Sequence, residues 1–315
     1  MTPAKNNRTL ILSEEDTRRY ANECLQPDGS QFSEAMIENR VLQADITNVL
    51  PLLPASFVDL LIIDPPYNLR KNFNGLQFGL MQDEEYASWF RTWFVPLLRV
   101  LKPDASVYIC TEWRTTPIIQ SIAGEYLRIR NRITWEREKG KGAMNNWKNC
   151  SEDILFLTHS DKYVFNVDSV KLKRKVLAPY RSDEGKPKDW EETVDGNFRS
   201  THPSNLWTDI SVPFWSMPEN TEHPTQKPEK LIAKLILASS NPGDFVFDPF
   251  LGSGTTAVTA KKLNRRYCGV EIDQKYAALS AARLVRSEED TTIQGYDGEC
   301  FYERNTLQYL KKKKE

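Results

Sequence analysis

The stretch FVFDPFLGSGTTAVTAKKLNRRYCGVEI, residues 245–272, decides the fold class of this chain. Residues 245–247 predict a buried strand, a glycine loop follows at 251–254, and a helix is expected from about Thr255. The apolar run YCGVEI then predicts a second strand. A strand, a helix and a strand in this order place the two strands parallel, with a right-handed crossover. We therefore expect an α/β protein with an open, mostly parallel twisted sheet and helices on both faces.

Composition narrows the class of protein further. The chain has 315 residues, of which 40% are hydrophobic and 27% charged, and its net charge is −1. These values are typical of a globular protein with a sizeable core, and no apolar run approaches the roughly 20 residues that span a bilayer. The five scattered cysteines and the absence of a signal-peptide pattern predict a cytoplasmic protein without disulfides. Three isolated histidines predict no metal site.

Changes in composition divide the chain into five segments. They are an N-terminal appendage at 1–40, the first half of the α/β domain at 41–167, a loop-rich, highly charged insertion at 168–222, the second half of the domain at 223–286, and a C-terminal extension at 287–315. In the first half, one stretch has apolar residues at helical spacing, which predicts a helix with an aromatic face in the core. These residues are Tyr86, Trp89, Phe90, Trp93, Leu97 and Leu101.

The run IIDPPYNL, residues 62–69, ends a nearly continuous apolar strand that begins at Val58. Such a run is typical of a parallel strand that is covered on both faces. An ordinary turn needs only Gly, Asn or one Pro. Two prolines make this turn stiff and hold Asp64 and Tyr67 at a fixed separation, which indicates a site selected for chemistry.

The glycine loop predicts a site for a ligand that carries a nucleoside. Glycines at the carboxyl end of a strand let a ligand approach the backbone closely. Glu271 ends the next strand, where an acid can accept hydrogen bonds from both ribose hydroxyls. A nicotinamide dinucleotide is a competing ligand, because Gly252, Gly254 and Ala257 also fit the pattern G-x-G-x-x-A.

Two basic runs indicate contacts with nucleic acid. Residues 128–149 and 171–188 are rich in Lys and Arg, with aromatic residues and Asn between them. Either run alone is more often a solvated surface, but two runs in one polar region favour contacts with phosphates.

Three motifs together resemble one family. The chain contains DPPY at 64–67, HPTQKP at 223–228 and FDPFLGSGTT at 247–256. It resembles the DNA amino-methyltransferases that use S-adenosylmethionine, in the group whose catalytic motif precedes the cofactor loop. The resemblance covers residues 41–285 and implies a Rossmann-like methyltransferase fold.

The resemblance also implies a set of site residues. The catalytic residues are Asp64, Pro65, Pro66 and Tyr67, and the cofactor-binding residues are Asp45, Asp64, His223, Thr225, Gln226, Lys227, Asp248, Phe250, Gly252, Ser253, Gly254, Thr255 and Glu271. Asp45 is expected to face the adenine of the cofactor, Glu271 its ribose, the loop 248–255 its ribose and methionine part, and the turn 223–227 its carboxylate. The alternative for that turn is a cap on the following helix.

The chemistry of amine methylation suits these residues. The exocyclic amine of a base is a poor nucleophile, because its lone pair is delocalised into the ring. Asp64 and the Pro65 carbonyl are suited to accept its two N–H groups, so that the nitrogen can pyramidalise and attack a methyl group. Tyr67 offers a face for stacking of a base flipped out of the duplex. One departure is NNWKNCSED at 145–153, which lacks the His of an Asn-x-His-Glu pattern and keeps its acid as Glu152.

The predicted activity is transfer of a methyl group to N6 of a flipped-out adenine at specific sites in double-stranded DNA. Asp at the first motif position favours adenine, and N4 of cytosine is the alternative because both reactions share one mechanism. A cytosine C5 enzyme is excluded, since no cysteine follows a proline. More distant alternatives are a non-catalytic DNA-binding protein on the same fold and a dehydrogenase. The insertion 168–222 is expected to recognise the target, and the resemblance allows a homodimer and a cognate restriction endonuclease as further partners.

Overall fold

The computed structural model describes residues 6–69, 71–73, 76–137, 142–176, 180–193, 196–304 and 306–307. Its helices are α1 Glu14–Ala21, α2 Glu34–Ile37, α3 Ile46–Val49, α4 Asp83–Leu97, α5 Thr116–Gly124, α6 Glu229–Ser239, α7 Thr255–Lys262 and α8 Gln274–Glu289. Its strands are β1 Arg40–Gln43, β2 Val58–Ile63, β3 Lys71–Phe73, β4 Leu76–Phe78, β5 Leu101–Thr111, β6 Arg128–Glu136, β7 Ser151–Thr158, β8 Leu172–Lys175, β9 Glu191–Thr193, β10 Gly196–Thr201, β11 Leu206–Trp207, β12 Phe245–Asp248, β13 Arg266–Glu271, β14 Tyr296–Asp297 and β15 Cys300–Tyr302. None of these helices is long and apolar enough to cross a bilayer.

An eight-stranded sheet forms the centre of the molecule. Its strand order is β1-β13-β12-β2-β5-β7-β6-β11, and every neighbouring pair is parallel except the two pairs that include β7. The predicted strand–helix–strand unit is present as β12, α7 and β13. The expected fold class, a mostly parallel α/β sheet with helices on both faces, is confirmed.

Two apolar cores lie on the two faces of this sheet. Along β2, Leu61 and Ile63 pack with α3, α4 and α5, whereas Leu60 and Ile62 pack with α6, α7 and α8. Successive side chains of a strand point to opposite faces, so a strand buried on both sides must be apolar at every position. The continuous apolar run before Asp64 is therefore a direct consequence of its central place in the sheet.

The order of strands reverses at the junction of β12 and β2. These two strands pair directly, with Val246 opposite Leu60, and the chain leaves them toward opposite edges of the sheet. Open α/β sheets bind ligands in the crevice at the carboxyl ends of strands at such a point. The glycine loop follows β12 and the Asp-Pro-Pro-Tyr turn follows β2, so both motifs meet at this crevice although they are far apart in the sequence.

The insertion and the C-terminal extension form a second sheet together. Its strand order is β14-β15-β8-β10-β9, and Phe301 of the extension pairs with Leu172 of the insertion. The insertion also supplies β11 to the edge of the central sheet. At the other end of the chain, Leu10 of the N-terminal segment packs against α8. The segments predicted from composition therefore pack together, and the predicted loop-rich insertion contains regular strands.

Candidate active site

A cavity of about 370 Å³ opens at the carboxyl ends of the central strands. This volume lies in the range of roughly 300–1,000 Å³ that is usual for ligand pockets. Of the predicted site residues, those that line it are Asp45, Asp64, Pro65, Pro66, Tyr67, His223, Thr225, Gln226, Lys227, Asp248, Phe250, Gly252, Ser253, Thr255 and Glu271. The fold therefore brings three distant motifs to one cavity.

Gly254 is the predicted site residue that does not line the cavity. It caps α7 with a φ of 83°, and a Cβ atom there would stand 2.9 Å from the Cα of Ser280 in α8. The close approach of α8 requires a glycine here, and the expected contact of Gly254 with the cofactor stays a prediction. Gly252, with a φ of 56°, does line the cavity, and a Cβ atom there would stand 3.2 Å from the His223 ring.

Buried carboxylates form the last residues of β12 and β13, Asp248 and Glu271. Glu271 accepts hydrogen bonds from the backbone N–H groups of Gly252 at 2.7 Å and Asp273 at 2.8 Å. Asp248 accepts from the Phe250 N–H at 2.9 Å and from the Thr256 hydroxyl at 2.6 Å. Burial raises the pKa of each carboxyl to about 7, and these hydrogen bonds only partly oppose it. Such shifts are frequent in functional sites.

Asp45 lies on the wall of the cavity. It caps α3 just beyond β1, and its Oδ1 accepts hydrogen bonds from the backbone N–H of Thr47 at 2.8 Å and from its hydroxyl at 2.6 Å. The carboxylate is thereby fixed on the cavity wall, in a loop next to Glu271, since β1 and β13 are paired.

The Asp-Pro-Pro-Tyr turn is held from outside as well as by its prolines. The Asn68 side chain donates to the carbonyl of Met81 at 2.8 Å and accepts from its N–H at 2.7 Å. The Tyr86 hydroxyl donates to the Pro66 carbonyl at 3.1 Å. The turn is therefore anchored to the start of α4, which limits how far Asp64 and Tyr67 can move.

A buried polar cluster links the turn to Lys227. The ammonium group of Lys227 lies 2.6 Å from Asp64 Oδ2, 3.3 Å from Glu152 Oε2 and 3.2 Å from the Tyr67 hydroxyl. Burial by itself lowers the pKa of a lysine, but the Asp64 and Glu152 carboxylates outweigh burial and raise the pKa of Lys227 above its usual value. Lys227 is therefore a permanent cation at the centre of the motif.

Glu152 and Arg137 complete this cluster from β7 and the end of β6. Glu152 is 6% exposed, its Oε1 lies 2.6 Å from the Arg137 guanidinium, and its Oε2 accepts from the Tyr67 hydroxyl at 3.2 Å. Burial would raise the pKa of this carboxyl, but the charges of Lys227 and Arg137 hold it below its usual range. Burial, with the nearby carboxylates, also raises the pKa of Tyr67, which stays a neutral phenol.

The side chains of Gln226 and Lys227 have partners within the protein, and the expected contact of their turn with the cofactor carboxylate stays a prediction. Lys227 points to Asp64, and the Gln226 side chain is held within the protein. It accepts from the N–H and hydroxyl of Thr221 at 2.9 and 2.7 Å and donates to the Glu219 carbonyl at 2.6 Å. The spacing of the motif placed this turn at the cavity but did not reveal these partners.

Two residues that were assigned to the core also reach the cavity. Trp93 is 1% exposed and stacks edge-on against Phe250 at 4.8 Å between ring centroids, and both rings line the cavity together with Trp89. The helical spacing correctly predicted the buried face of α4 up to Leu97, whereas Leu101, assigned to the same helix, begins β5. It did not show that part of this face is cavity wall, because α4 meets the glycine loop only in the folded chain.

Many cations of the two basic runs are already paired. In the described residues of 171–188, Lys171 pairs with Asp168, Arg174 with Glu303 and Arg181 with Glu192. In 128–149, Arg128 and Arg130 both pair with Asp161. Residues 138–141 and 177–179 lie outside the described part of the chain. These pairs weaken the expectation that the two runs bind phosphates along their whole length.

The charge of the cavity separates the ligands that were considered. The described acidic residues that line it are Asp45, Asp64, Glu152, Asp248, Glu271 and Asp273, and the cation among them is Lys227. A dinucleotide would bring its anionic pyrophosphate toward these acids, whereas a nucleoside that carries a positive charge complements them. Within the described residues, no group of His, Cys, Asp and Glu is arranged to hold a metal ion.

Comparisons with known proteins agree with this geometry. The sequence model of a family described as DNA methylase, which joins N6 and N4 methyltransferases, matches residues 58–282. The DNA adenine methyltransferase YhdJ of Escherichia coli is 34% identical over 78% of this chain and 82% of its own. The type II methyltransferase M.HpaI of Haemophilus parainfluenzae is 33% identical over 83% of this chain and 77% of its own.

Solved structures share the fold at lower identity. The cytosine-N4-specific PvuII DNA methyltransferase is 18% identical, with a TM-score of 0.57 over 78% of this chain and 85% of its own. The complex of M1.HpyAVI with S-adenosylmethionine is 24% identical, with a TM-score of 0.50 over 78% of this chain and 98% of its own. At these identities the likeness is one of architecture.

Proposed function

The chain belongs to the DNA methylase family that contains the N6-adenine and N4-cytosine methyltransferases, and we propose that it methylates N6 of adenine in double-stranded DNA. The observation that carries the proposal is the convergence of Asp64, Tyr67 and Lys227 on a cavity that also holds Glu271. Two facts favour adenine over N4 of cytosine: the first motif residue is Asp64, and the relative YhdJ is an adenine methyltransferase.

The cavity fits S-adenosylmethionine as the methyl donor. This cofactor supplies a methyl group on a positively charged sulfur, and the acid-rich wall suits such a cation. Glu271 is placed to accept the ribose hydroxyls, Asp45 to meet the adenine, and the loop from Asp248 to Thr255 to hold the middle of the molecule. The Cβ-free Gly252 keeps that loop close to the His223 ring.

Asp64 and Pro65 are proposed to bind the amine that becomes methylated. Each offers an oxygen to one N–H of the amine, which frees the nitrogen lone pair for attack. Lys227 holds Asp64 Oδ2 at 2.6 Å, so the carboxylate cannot rotate freely. Asp64 is also placed to hold the proton that the amine loses after methylation. Catalysis of this kind rests on orientation and electrostatics rather than on a covalent intermediate.

Tyr67 is proposed to stack on the flipped base. Its hydroxyl donates to Glu152 and accepts from Lys227, and these two contacts fix the plane of the ring. Moving a base out of the duplex costs a few kcal/mol. Stacking of that base on a ring that is already oriented offsets part of this free energy.

The second sheet is proposed to recognise the target sequence. It contains β8, β9 and β10 of the insertion 168–222, together with β14 and β15 of the C-terminal extension, and β11 connects the insertion to the central sheet. The proposal includes two further partners. They are a second copy of the chain, which the family resemblance implies, and a restriction endonuclease for the same site, because M.HpaI is a type II methyltransferase.

Methyl transfer to DNA tests the proposal directly. The protein is incubated with bacterial genomic DNA and S-adenosylmethionine that carries a labelled methyl group, and the DNA is digested to nucleosides. We expect label in N6-methyladenine, and sequencing of methylated bases then gives the target site. Label in N4-methylcytosine would support the alternative base, and absence of label in DNA would support the non-catalytic protein.

The pKa of Glu271 predicts how cofactor binding responds to pH. The ionised carboxylate accepts ribose hydroxyls, whereas the protonated form loses much of this capacity. With a pKa of about 7, the ionised fraction falls about tenfold from pH 8 to pH 6. We expect the dissociation constant of S-adenosylmethionine, measured by calorimetry, to rise over this range by up to that factor.

Glu271→Gln is the control for this prediction. The variant should bind the cofactor more weakly at pH 8 and show a flatter pH dependence, with Asp248 responsible for the remainder. A wild-type dissociation constant that stays the same or falls on acidification would contradict the role of Glu271.

A further inference from the structure

A loop next to the proposed base site exposes two large apolar side chains. Every residue from Gly142 to Cys150, between β6 and β7, is exposed. Met144 and Trp147 are each 97% exposed, and the next most exposed large apolar residue in the described chain is Tyr180 at 73%. Single exposed apolar residues are common on surfaces, but a tryptophan with almost no contact has a surface that only a partner can cover.

The base of this loop is part of the catalytic cluster. The Arg137 N–H donates to the Cys150 carbonyl at 2.5 Å, which closes the loop. The Arg137 guanidinium lies 2.6 Å from Glu152, and Glu152 accepts from the Tyr67 hydroxyl at 3.2 Å. Arg137, which holds the end of this loop at Cys150, is therefore two contacts away from the ring that is proposed to stack on the flipped base.

Base flipping leaves a gap in the duplex at a defined place. When the target base enters the pocket beside Tyr67, the two neighbouring base pairs lose a stacking partner. Proteins that distort DNA insert apolar wedges between base steps, and aromatic side chains stack on bases of any sequence. A side chain that fills the gap must be apolar, exposed and able to reach the pocket. Trp147 is apolar and exposed, and it lies five positions before Glu152, which lines the cavity.

We propose that the loop 142–150 enters the DNA duplex at the target site and that Trp147 occupies the space vacated by the flipped base. Met144 lies against the neighbouring base pair, and Lys148, adjacent to Trp147 in the chain, meets a phosphate of the distorted backbone. The proposal rests on the proposed function, since it takes double-stranded DNA as the substrate. It assigns to Trp147 a part in opening the duplex and no part in the methyl transfer itself.

A comparison of two DNA duplexes distinguishes an effect on opening of the duplex from an effect on methyl transfer. Both contain the target sequence identified by sequencing of methylated bases. In one duplex the target base is paired, and in the other it faces an abasic site, so that little pairing is lost when it flips. The measurement is the single-turnover rate of methyl transfer from S-adenosylmethionine to each duplex.

Trp147→Ala should slow methylation of the paired duplex by about tenfold, the scale of one lost stacking contact. Its rate on the duplex with the abasic site should stay within about twofold of wild type. Trp147→Phe keeps an aromatic ring and should retain most of the rate on the paired duplex. Because the Trp147 side chain makes almost no contact with the protein, these variants should fold normally.

Trp113 provides a matched control. It is 57% exposed, on the segment between β5 and α5, and Trp113→Ala should leave the ratio of the two rates unchanged. Equal rates for Trp147→Ala and wild type on the paired duplex, or an equal loss on both duplexes, would overturn the role of Trp147 while leaving the proposed function intact. Absence of transfer by the wild-type protein to either duplex would overturn the proposed function and this proposal together.

Discussion

Asp64→Ala is expected to lower kcat for DNA methylation by about a thousandfold, the scale seen when a group that stabilises the transition state is removed. Without the carboxylate, the amine has one acceptor for its two N–H groups, so its lone pair stays delocalised in the ring. Lys227 would also turn its ammonium group toward the vacated space and repel the developing positive charge on the amine. The measurement is single-turnover transfer of labelled methyl groups to DNA that contains the target site.

Loss of folding or of cofactor binding must be separated from loss of chemistry. Asp64→Asn preserves the shape of the side chain and should lose nearly as much activity as Asp64→Ala, because an amide is a weaker acceptor and a poorer partner for Lys227. Both variants should retain a cooperative unfolding transition. Asp104 is an exposed carboxylate on β5, and Asp104→Ala should keep normal activity. Near-normal turnover by Asp64→Ala would refute the proposed mechanism.

The sequence was sufficient to predict the fold because its signals are local. The run 245–272 contains a complete strand–helix–strand unit, and the apolar run before Asp64 identifies a strand covered on both faces. Each pattern follows from which faces of one element are buried. Chain order also places both turns at carboxyl ends of parallel strands, and the structure shows that both line one cavity.

Contacts between distant elements were beyond the reach of such patterns. Lys227 and Asp64 are separated by 163 positions in the chain, and the motif around Lys227 was read as a binding site for the carboxylate of the cofactor. Glu152 reaches Tyr67 through the antiparallel pairing of β7 with β6 and β5, a register that depends on the whole sheet. The family resemblance implies a cofactor contact for Gly254, and the close approach of α8 is a second reason for a glycine there that the sequence did not reveal.

The position of the Asp64 carboxylate depends on the charges of the surrounding cluster. Two carboxylates, Asp64 and Glu152, share one ammonium group, and Arg137 supplies a second cation from the partly exposed side. Carboxylates this close to each other repel unless a cation lies between them. Removing one partner of a buried charge cluster costs more than the cluster as a whole contributes. Lys227 is thus a positioning residue whose loss should be felt at Asp64.

Lys227→Met is expected to lower kcat by about a hundredfold at neutral pH, because it leaves the partly buried Asp64 and the buried Glu152 without their shared cation. Burial then raises the pKa of Glu152, which Lys227 now helps to hold down. Below this raised pKa, Glu152 carries a proton that it can donate to Asp64, and Asp64 no longer accepts the amine N–H. The deficit in kcat should therefore be larger at pH 6 than at pH 8.5, as measured in pH–rate profiles of the variant and wild type.

A second substitution distinguishes this role from a cofactor contact. In Lys227→Met with Glu152→Leu, neither a charge nor a hydrogen-bond donor remains at position 152, so kcat at pH 6 should recover relative to the single variant. A residue that binds the carboxylate of the cofactor would instead raise KM for S-adenosylmethionine with little change in kcat. That result, or a deficit in kcat that is the same at every pH, would show that Lys227 does not act through Asp64. Lys227→Arg keeps the cation and should preserve the pH profile even if its larger head group lowers the rate.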